Sequence, residues 1–146
     1  MEKRISSEQL NKLRKSIYTI QWDVQSKLTN MLPRAQYHIL FYLTGVGTCT
    51  TLKLAEVLGV APSTVSDILL RMEKNRLISR VRNPSNRRII EIRLTDTGIE
   101  TFQMIEQERI KLSEHYLSDL TMKETLSLID IIEKIEEKAI ENQQKG

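Results

Sequence analysis

Three residues at a fixed spacing near the middle of the chain constrain the fold more than any other feature. Ala55, Gly59 and Val65 lie at offsets of four and ten within an otherwise helical, apolar pattern. Two closely crossing helices need a small residue at the crossing, a residue that tolerates positive φ in the turn, and a branched apolar residue where the second helix docks. The spacing therefore predicts a helix-turn-helix, with its first helix near 52–58 and its second beginning at Pro62.

The hydrophobic period changes directly after this pair of helices. Two short segments rich in β-branched residues, 77–81 and 89–94, alternate partly between apolar and polar positions, as strands do. The segment between them, 82–88, combines Asn, Pro and Ser with three arginines, which is turn chemistry with a strong positive charge. We therefore expect an antiparallel hairpin with a cationic tip, which makes the motif a winged helix-turn-helix.

Long helical patterns flank this lobe on both sides. Apolar residues recur at steps of three, four and seven over 10–31, 99–120 and 128–140. One small lobe cannot cover so much apolar surface, so a second copy of the chain is expected to cover it, the alternative being a monomeric bundle that closes on itself. The predicted fold class is mainly α with a small β-hairpin wing (α+β). Its single subunit, 1–146, contains a winged helix-turn-helix lobe over 33–95 and dimerisation helices over 1–32 and 96–146.

Prolines, glycines and one threonine mark the expected helix ends. Pro33 should end the first helix and begin the second, because proline cannot continue a helix but suits a first turn. Gly45-Val46-Gly47 is expected to break that second helix. Thr95 is a favourable N-cap for the long helix that follows the wing.

The net charge of +3 conceals an asymmetry along the chain. Residues 1–49 carry seven basic and three acidic residues, and residues 50–95 carry nine and four. Residues 96–146 carry six basic and twelve acidic residues. A basic middle segment favours contact with a polyanion, although solvated helix faces would give the same pattern.

These motifs resemble the MarR family of bacterial transcription regulators. The similar residues are 54–66, 71–73, 77–80, 86–88 and 94–98, and the detailed likeness covers about residues 33–100. The resemblance implies a transcription regulator, expected to be a repressor, that acts as a homodimer on a pseudo-palindromic operator in double-stranded DNA. The alternative is a winged-helix protein-interaction module that binds an acidic protein and has no specific DNA binding.

The resemblance also indicates which residues would contact DNA. The second helix of the motif would enter the major groove, and the wing would reach into a minor groove. Hydroxyls at the start of that helix can reach base edges or phosphates, and Arg71 can bind a guanine through two hydrogen bonds. Asp67 would accept a hydrogen bond from a cytosine or lower the non-specific affinity. The full expected set is Lys53, Ser63, Thr64, Ser66, Asp67, Arg71, Lys74, Arg82, Arg87 and Arg88.

Three positions depart from the family pattern. Ala61 stands where a polar N-cap is usual, which weakens the start of the second helix. Asn86 stands where the family has an acidic residue that holds the arginine two positions later, so Arg88 is expected to be held less rigidly. Arg76 replaces a glycine, and we expect Asn75 to take the left-handed conformation in its place.

The resemblance further implies a small amphipathic or phenolic effector, bound in a crevice between the lobe and the dimerisation helices. Aromatic and methionine side chains with a few polar tips would line such a crevice. The same residue types at helical spacing are also typical of core packing. The candidates are Tyr18, Trp22, Met31, Tyr37, His38, Tyr42 and Met104.

Other chemistries find little support in the sequence. His38 and His115 are 77 residues apart, and no cofactor-binding or catalytic motif is present, so we expect no metal, no cofactor and no enzymatic activity. The single cysteine, Cys49, allows no internal disulfide and is expected to be a small buried residue rather than a redox sensor. No membrane span or signal peptide is evident, so the expected location is the cytoplasm.

Overall fold

The computed structural model describes residues 4–146 as helices connected by short turns, with one small antiparallel sheet. By packing, the chain divides into two compact units, one that extends to Arg109 and one that begins at Ile110. The elements in chain order are α1 (Ser7–Leu28), α2 (Arg34–Val46), β1 (Thr48–Cys49), α3 (Thr51–Leu58), α4 (Pro62–Lys74), β2 (Ile78–Arg82), β3 (Ile90–Leu94), α5 (Asp96–Tyr116) and α6 (Met122–Gln144).

The helix-turn-helix is confirmed in detail. Helix α3 ends at Gly59, whose φ of 66° lies in the left-handed region, and the N–H of Val60 closes the turn on the carbonyl of Ala55. Helix α4 begins at Pro62, as predicted from the sequence. Ala55 and Val65 are both buried where the two helices meet.

Helix α2 ends within the predicted break at Gly45-Val46-Gly47, but at the last of these residues rather than the first. The helix continues through Gly45 and Val46 and ends at Gly47, whose φ is 83°. A glycine inside a helix costs only about 1 kcal/mol relative to alanine. The burial of Ile39, Leu40 and Leu43 on the same helix outweighs that cost.

The end of α4 also differs from the prediction. Asn75 has a φ of −84°, and Arg76 takes the left-handed conformation with a φ of 60°. The N–H of Leu77 donates to the carbonyl of Met72, and the N–H of Arg76 donates to the carbonyl of Glu73. This is the Schellman arrangement, which requires the left-handed residue one position after the cap and places Leu77 against Met72. The burial of both apolar side chains therefore sets the position of the left-handed residue.

The sheet contains one strand more than the sequence predicted. β2 and β3 form the expected antiparallel hairpin, with Ile78 opposite Leu94 and Arg82 opposite Ile90. β1 pairs with the other side of β3, so that Cys49 lies opposite Ile92, and the strand order is β1-β3-β2. A two-residue strand carries no readable periodicity, which is why the sequence did not indicate it.

The core of the lobe fixes α4 and the wing relative to α5. Leu54, Val65, Leu69 and Met72 from the helix-turn-helix pack with Ile92 from the sheet in one buried cluster. Thr95 caps α5 as predicted, since its hydroxyl accepts from the N–H of Gly98 at 3.0 Å. The same hydroxyl donates to the carbonyl of Arg76.

The long helices expose their apolar faces in the single chain. Residues of α1 at helical spacing, including Leu13 and Ile17, are exposed, and none of the α6 residues is buried. The exposed apolar residues of α6 include Leu126, Ile129, Ile132 and Ile135. Among the helices of residues 4–146, none combines the length and the hydropathy that a membrane span requires.

Candidate nucleic-acid interface

Helix α4 presents a polar face to solvent on the side opposite the core. Ser63, Thr64, Asp67, Arg71 and Lys74 are exposed, whereas Ser66 is half-buried at the edge of that face. Val65, Leu69 and Met72 occupy the opposite side and are buried. The structure thus places five of the six predicted α4 residues where they can reach a ligand, and it leaves Ser66 with restricted access.

The start of α4 leaves the backbone N–H of Ser63 available for an anion. Ala61 makes no side-chain cap, as the sequence indicated, and Thr64 and Val65 donate to its carbonyl. Pro62 has no N–H, so the first amide without an intrahelical partner is that of Ser63. Helix N-termini attract phosphate groups because of these amides and the helix dipole.

Side-chain amides shape the tip of the wing. The Asn83 side-chain oxygen accepts from the N–H groups of Ser85 and Asn86, at 2.8 and 3.1 Å. Its amide nitrogen donates to Glu91 at 3.0 Å, which ties the tip to β3. The Arg82 guanidinium donates to the carbonyl of Arg87. The turn itself was expected from the sequence, because an Asn before Pro-Ser is a common turn signal, but the contact of Asn83 with Glu91 was not.

Asn86 acts on the backbone of the wing rather than on a guanidinium. Its side-chain oxygen accepts from the N–H of Arg88 at 3.2 Å. Among the described residues, the guanidinium of Arg88 has neither a hydrogen bond nor an ion pair with any acidic group. Arg87 and Arg88 are both exposed, so their charges lie at the surface of the tip.

Ion pairs divide the basic residues of the lobe into two groups. Arg80 binds Glu73 of α4 at 2.7 Å, and Lys53 of α3 lies 3.4 Å from Glu56. These two pairs are partly or fully exposed and contribute little to stability. Within residues 4–146, the other basic residues of the lobe form no ion pair, and four of them, Arg71, Lys74, Arg87 and Arg88, are exposed on α4 or at the wing tip. These four charges are available to a polyanion.

Four of the predicted effector residues line one cavity of about 310 Å³ between α1 and α2. These are Tyr18, Trp22, Tyr37 and His38. Met31 is exposed outside this cavity, and Tyr42 packs against the core of the lobe instead. Met104 is exposed on α5 and does not line the cavity. A larger depression of about 660 Å³ is lined by α1 residues alone and is open to solvent.

The cavity also contains two arginines that the sequence analysis did not select, Arg34 and Arg109. Tyr37 donates to Glu106 at 2.7 Å, and the Arg109 guanidinium lies 4.7 Å above the Tyr37 ring. Burial and the bond to Glu106 raise the pKa of Tyr37 to about 12, so its hydroxyl stays protonated. Burial, with the charges of Arg34 and Arg109, lowers the pKa of His38. The cavity therefore has an aromatic wall beside two arginines, of which Arg109 also lies 3.7 Å from the Glu106 carboxylate.

Cys49 and the histidines do not form a further chemical site. Burial, with a smaller effect from Glu91, raises the pKa of the Cys49 thiol to about 11, which keeps it in the unreactive protonated form. In the described part of the chain, no group of three or more His, Cys, Asp or Glu residues could hold a metal ion.

Known proteins resemble this chain in sequence and in structure. The sequence model of the MarR family matches residues 32–90. The HTH-type transcriptional repressor MdtR of Bacillus subtilis is 34% identical over 105 residues, which cover 72% of this chain and 68% of MdtR. The chain belongs to the MarR family. It is therefore a MarR-family transcriptional regulator, as the motifs had suggested.

Solved structures agree with this assignment of the fold. A MarR family protein from Bacillus stearothermophilus superposes with a TM-score of 0.83, at 20% identity, over 93% of this chain and 99% of that one. A MarR variant from E. coli, complexed with operator DNA, gives a TM-score of 0.63 at 21% identity, over 84% and 92% of the two chains. Both likenesses concern the mainly helical fold with its small antiparallel sheet.

Proposed function

We propose that this MarR-family chain is a homodimeric repressor that binds a pseudo-palindromic operator in double-stranded DNA. The observation that carries the proposal is the placement of unpaired positive charge on two adjacent elements of one lobe. Arg71 and Lys74 lie on the exposed face of α4, and Arg87 and Arg88 lie at the wing tip. Helix α4 would enter the major groove, and the wing would enter a neighbouring minor groove.

The exposed apolar faces of α1 and α6 support the dimer. Ile17 of α1 and Ile132 and Ile135 of α6 are 41%, 49% and 54% exposed in the single chain. A stable monomer seldom exposes so much apolar surface on helices of 22 and 23 residues, and a second copy would bury it. The boundaries at 33 and 95 for the DNA-binding lobe, with dimerisation helices on either side, remain part of this proposal.

Selection of bound oligonucleotides from a random duplex pool tests the proposal directly. The expected product is a two-fold symmetric sequence with half-sites about one helical turn apart. If each lobe neutralises about four phosphates, the affinity falls by about 10³–10⁵ between about 50 and about 200 mM salt. Failure to enrich any sequence, together with a single-subunit mass in dilute buffer, would contradict both parts of the proposal.

Two substitutions separate the roles of the wing and of α4. Arg88→Ala should weaken operator binding and reduce the salt dependence while the dimer stays intact, because the Arg88 guanidinium forms no hydrogen bond or ion pair within the described lobe. Arg71→Ala should instead relax the preference at particular base pairs, by about 1–3 kcal/mol if it binds a guanine. Lys138→Ala, on α6, is the matched control, since its partner is the nearby Glu141. Equal loss on all sequences for Arg71→Ala would make it a phosphate contact.

The competing function is a winged-helix module that binds an acidic protein instead of DNA. The same unpaired arginines would serve that purpose, so charge does not separate the two functions. Preference for a DNA sequence distinguishes the two functions, because a protein-binding module would bind all duplexes equally weakly at low salt. The operator selection therefore decides between them.

We also propose that the cavity between α1 and α2 binds a small aromatic anion as effector. The cavity has an aromatic wall from Tyr37 and Trp22, Arg34 and Arg109 supply positive charge, and His38 can take up a proton when an anion binds. Addition of a phenolic acid such as 4-hydroxybenzoate should shift the Trp22 emission, which is the emission of the single tryptophan.

The effector proposal predicts the sign of a pH dependence. The pKa of His38 lies below its usual value in the free protein, and a bound anion would raise it. Binding then takes up a proton, so the affinity should increase as the pH falls from about 7.5 to about 6. His38→Gln should remove the increase while leaving binding at the higher pH. An affinity that does not change with pH in the unmodified protein would exclude His38 from the site.

A further inference from the structure

Leu70 is the one apolar side chain of α4 that lies on its exposed face, among the described residues. Val65, Leu69 and Met72 are buried, and Ile68 packs against the core of the lobe. Leu70, in contrast, is 58% exposed. No contact with the core accounts for a leucine at this position.

The angular position of Leu70 places it near the middle of that face. At about 100° per residue, Leu70 lies about 20° from Ser63, about 40° from Lys74 and about 60° from Asp67. It lies about 140° from Val65 and about 160° from Met72, which point to the core. Leu70 is thus more central on the exposed face than Arg71, which lies about 100° further round the helix.

The neighbours of Leu70 argue against a protein-docking surface. The residues three and four positions away on the helix are Ser66, Asp67, Glu73 and Lys74, all of them polar or charged. A docking surface for a protein partner would need a continuous apolar patch, which an isolated leucine does not provide. A phosphate group gains nothing from a leucine either. The surroundings therefore favour an apolar group that is itself small and isolated.

The major groove of DNA offers one such group, the C5-methyl of thymine. We infer that Leu70 is a specificity-determining residue that contacts this methyl group in each half-site. The inference rests on the proposed DNA-binding function and adds to it a base identity. On α4, Lys74 would then attract the DNA backbone electrostatically, whereas Leu70 would discriminate thymine from the other bases.

Replacement of thymine by deoxyuridine tests the contact, because it removes only the methyl group. Each thymine of the selected operator is replaced in turn in both half-sites, and binding is measured by fluorescence anisotropy at one salt concentration. The unmodified protein should lose affinity at one thymine position, by about fourfold per half-site. Leu70→Ala should bind the thymine and uracil operators equally, and the substitution should not harm folding because alanine is the better helix former.

Leu52→Ala is the matched control, since Leu52 of α3 is also exposed, at 69%, and has no assigned role in binding. This variant should keep the uracil sensitivity of the unmodified protein. The inference is overturned if Leu70→Ala retains that sensitivity, or if no thymine position is sensitive in an operator that is bound tightly. In both cases the proposed function stands, whereas failure to select any operator would overturn that function itself.

Discussion

Gly98 offers the sharpest test of how α5 is attached to the winged lobe. A Cβ atom at this position would overlap the carbonyl oxygen of Leu77 and would lie 3.0 Å from the carbonyl carbon. Backbone atoms cannot rotate away as a flexible side chain can, so either Leu77 or the first turn of α5 must move. We therefore expect Gly98→Ala to be strongly destabilising, although alanine is normally favoured in a helix.

The magnitude follows from the bonds at this junction. Movement by about 1 Å would stretch three hydrogen bonds, from Thr95 N–H to the Leu77 carbonyl, from the Thr95 hydroxyl to the Arg76 carbonyl, and from Gly98 N–H to the Thr95 hydroxyl. At about 1 kcal/mol each, and with about 1–3 kcal/mol for overpacking, the loss exceeds the gain of about 1 kcal/mol in helix propensity. The free energy of unfolding should fall by about 3–5 kcal/mol.

Urea unfolding followed by circular dichroism measures this change, at one fixed protein concentration because a dimer is expected. Gly45→Ala is the matched control, since Gly45 lies inside α2 and an added Cβ would have no neighbour within 4 Å. The control should raise the free energy of unfolding by about 0.5–1 kcal/mol. If the two variants shift stability in the same direction, or if Gly98→Ala lies within about 1 kcal/mol of the unmodified protein, the reasoning about the junction is wrong.

Three further predictions follow from single residues. Arg76→Gly should raise the free energy of unfolding by about 1 kcal/mol, because Arg76 has a φ of 60°, whereas Asn75→Gly should bring no such gain. Tyr37→Phe should lower the free energy of unfolding by about 1 kcal/mol, since Glu106 then loses a hydrogen bond. An unchanged free energy would show that this bond is not formed in solution. Cys49, with its pKa raised to about 11, should react with a thiol reagent at pH 8 far more slowly in the native protein than in urea, and equal rates would contradict its burial.

The sequence indicated the candidate interface more completely than the effector cavity. The α4 residues follow one another on a single helix, so their common face can be read from a period of 3.6. Arg34 and Arg109 line the same cavity although they are 75 positions apart in the sequence, because two helices approach each other there. The exposure of Leu70 can be read from the same period, because the residue lies on the side of the helix opposite Val65 and Met72.

The helix-turn-helix, the hairpin and the family could be recognised in the amino-acid sequence, because their signals depend on local requirements of the backbone. A small residue at a helix crossing, Gly59 in a tight turn and Pro62 at a helix start act within a few residues. Contacts between distant parts of the chain account for three further features: Thr48–Cys49 forms a strand, Gly45 stays helical, and Arg76 rather than Asn75 is left-handed. In each of these cases the local preference is worth about 1 kcal/mol, and packing or strand pairing with distant residues outweighs it.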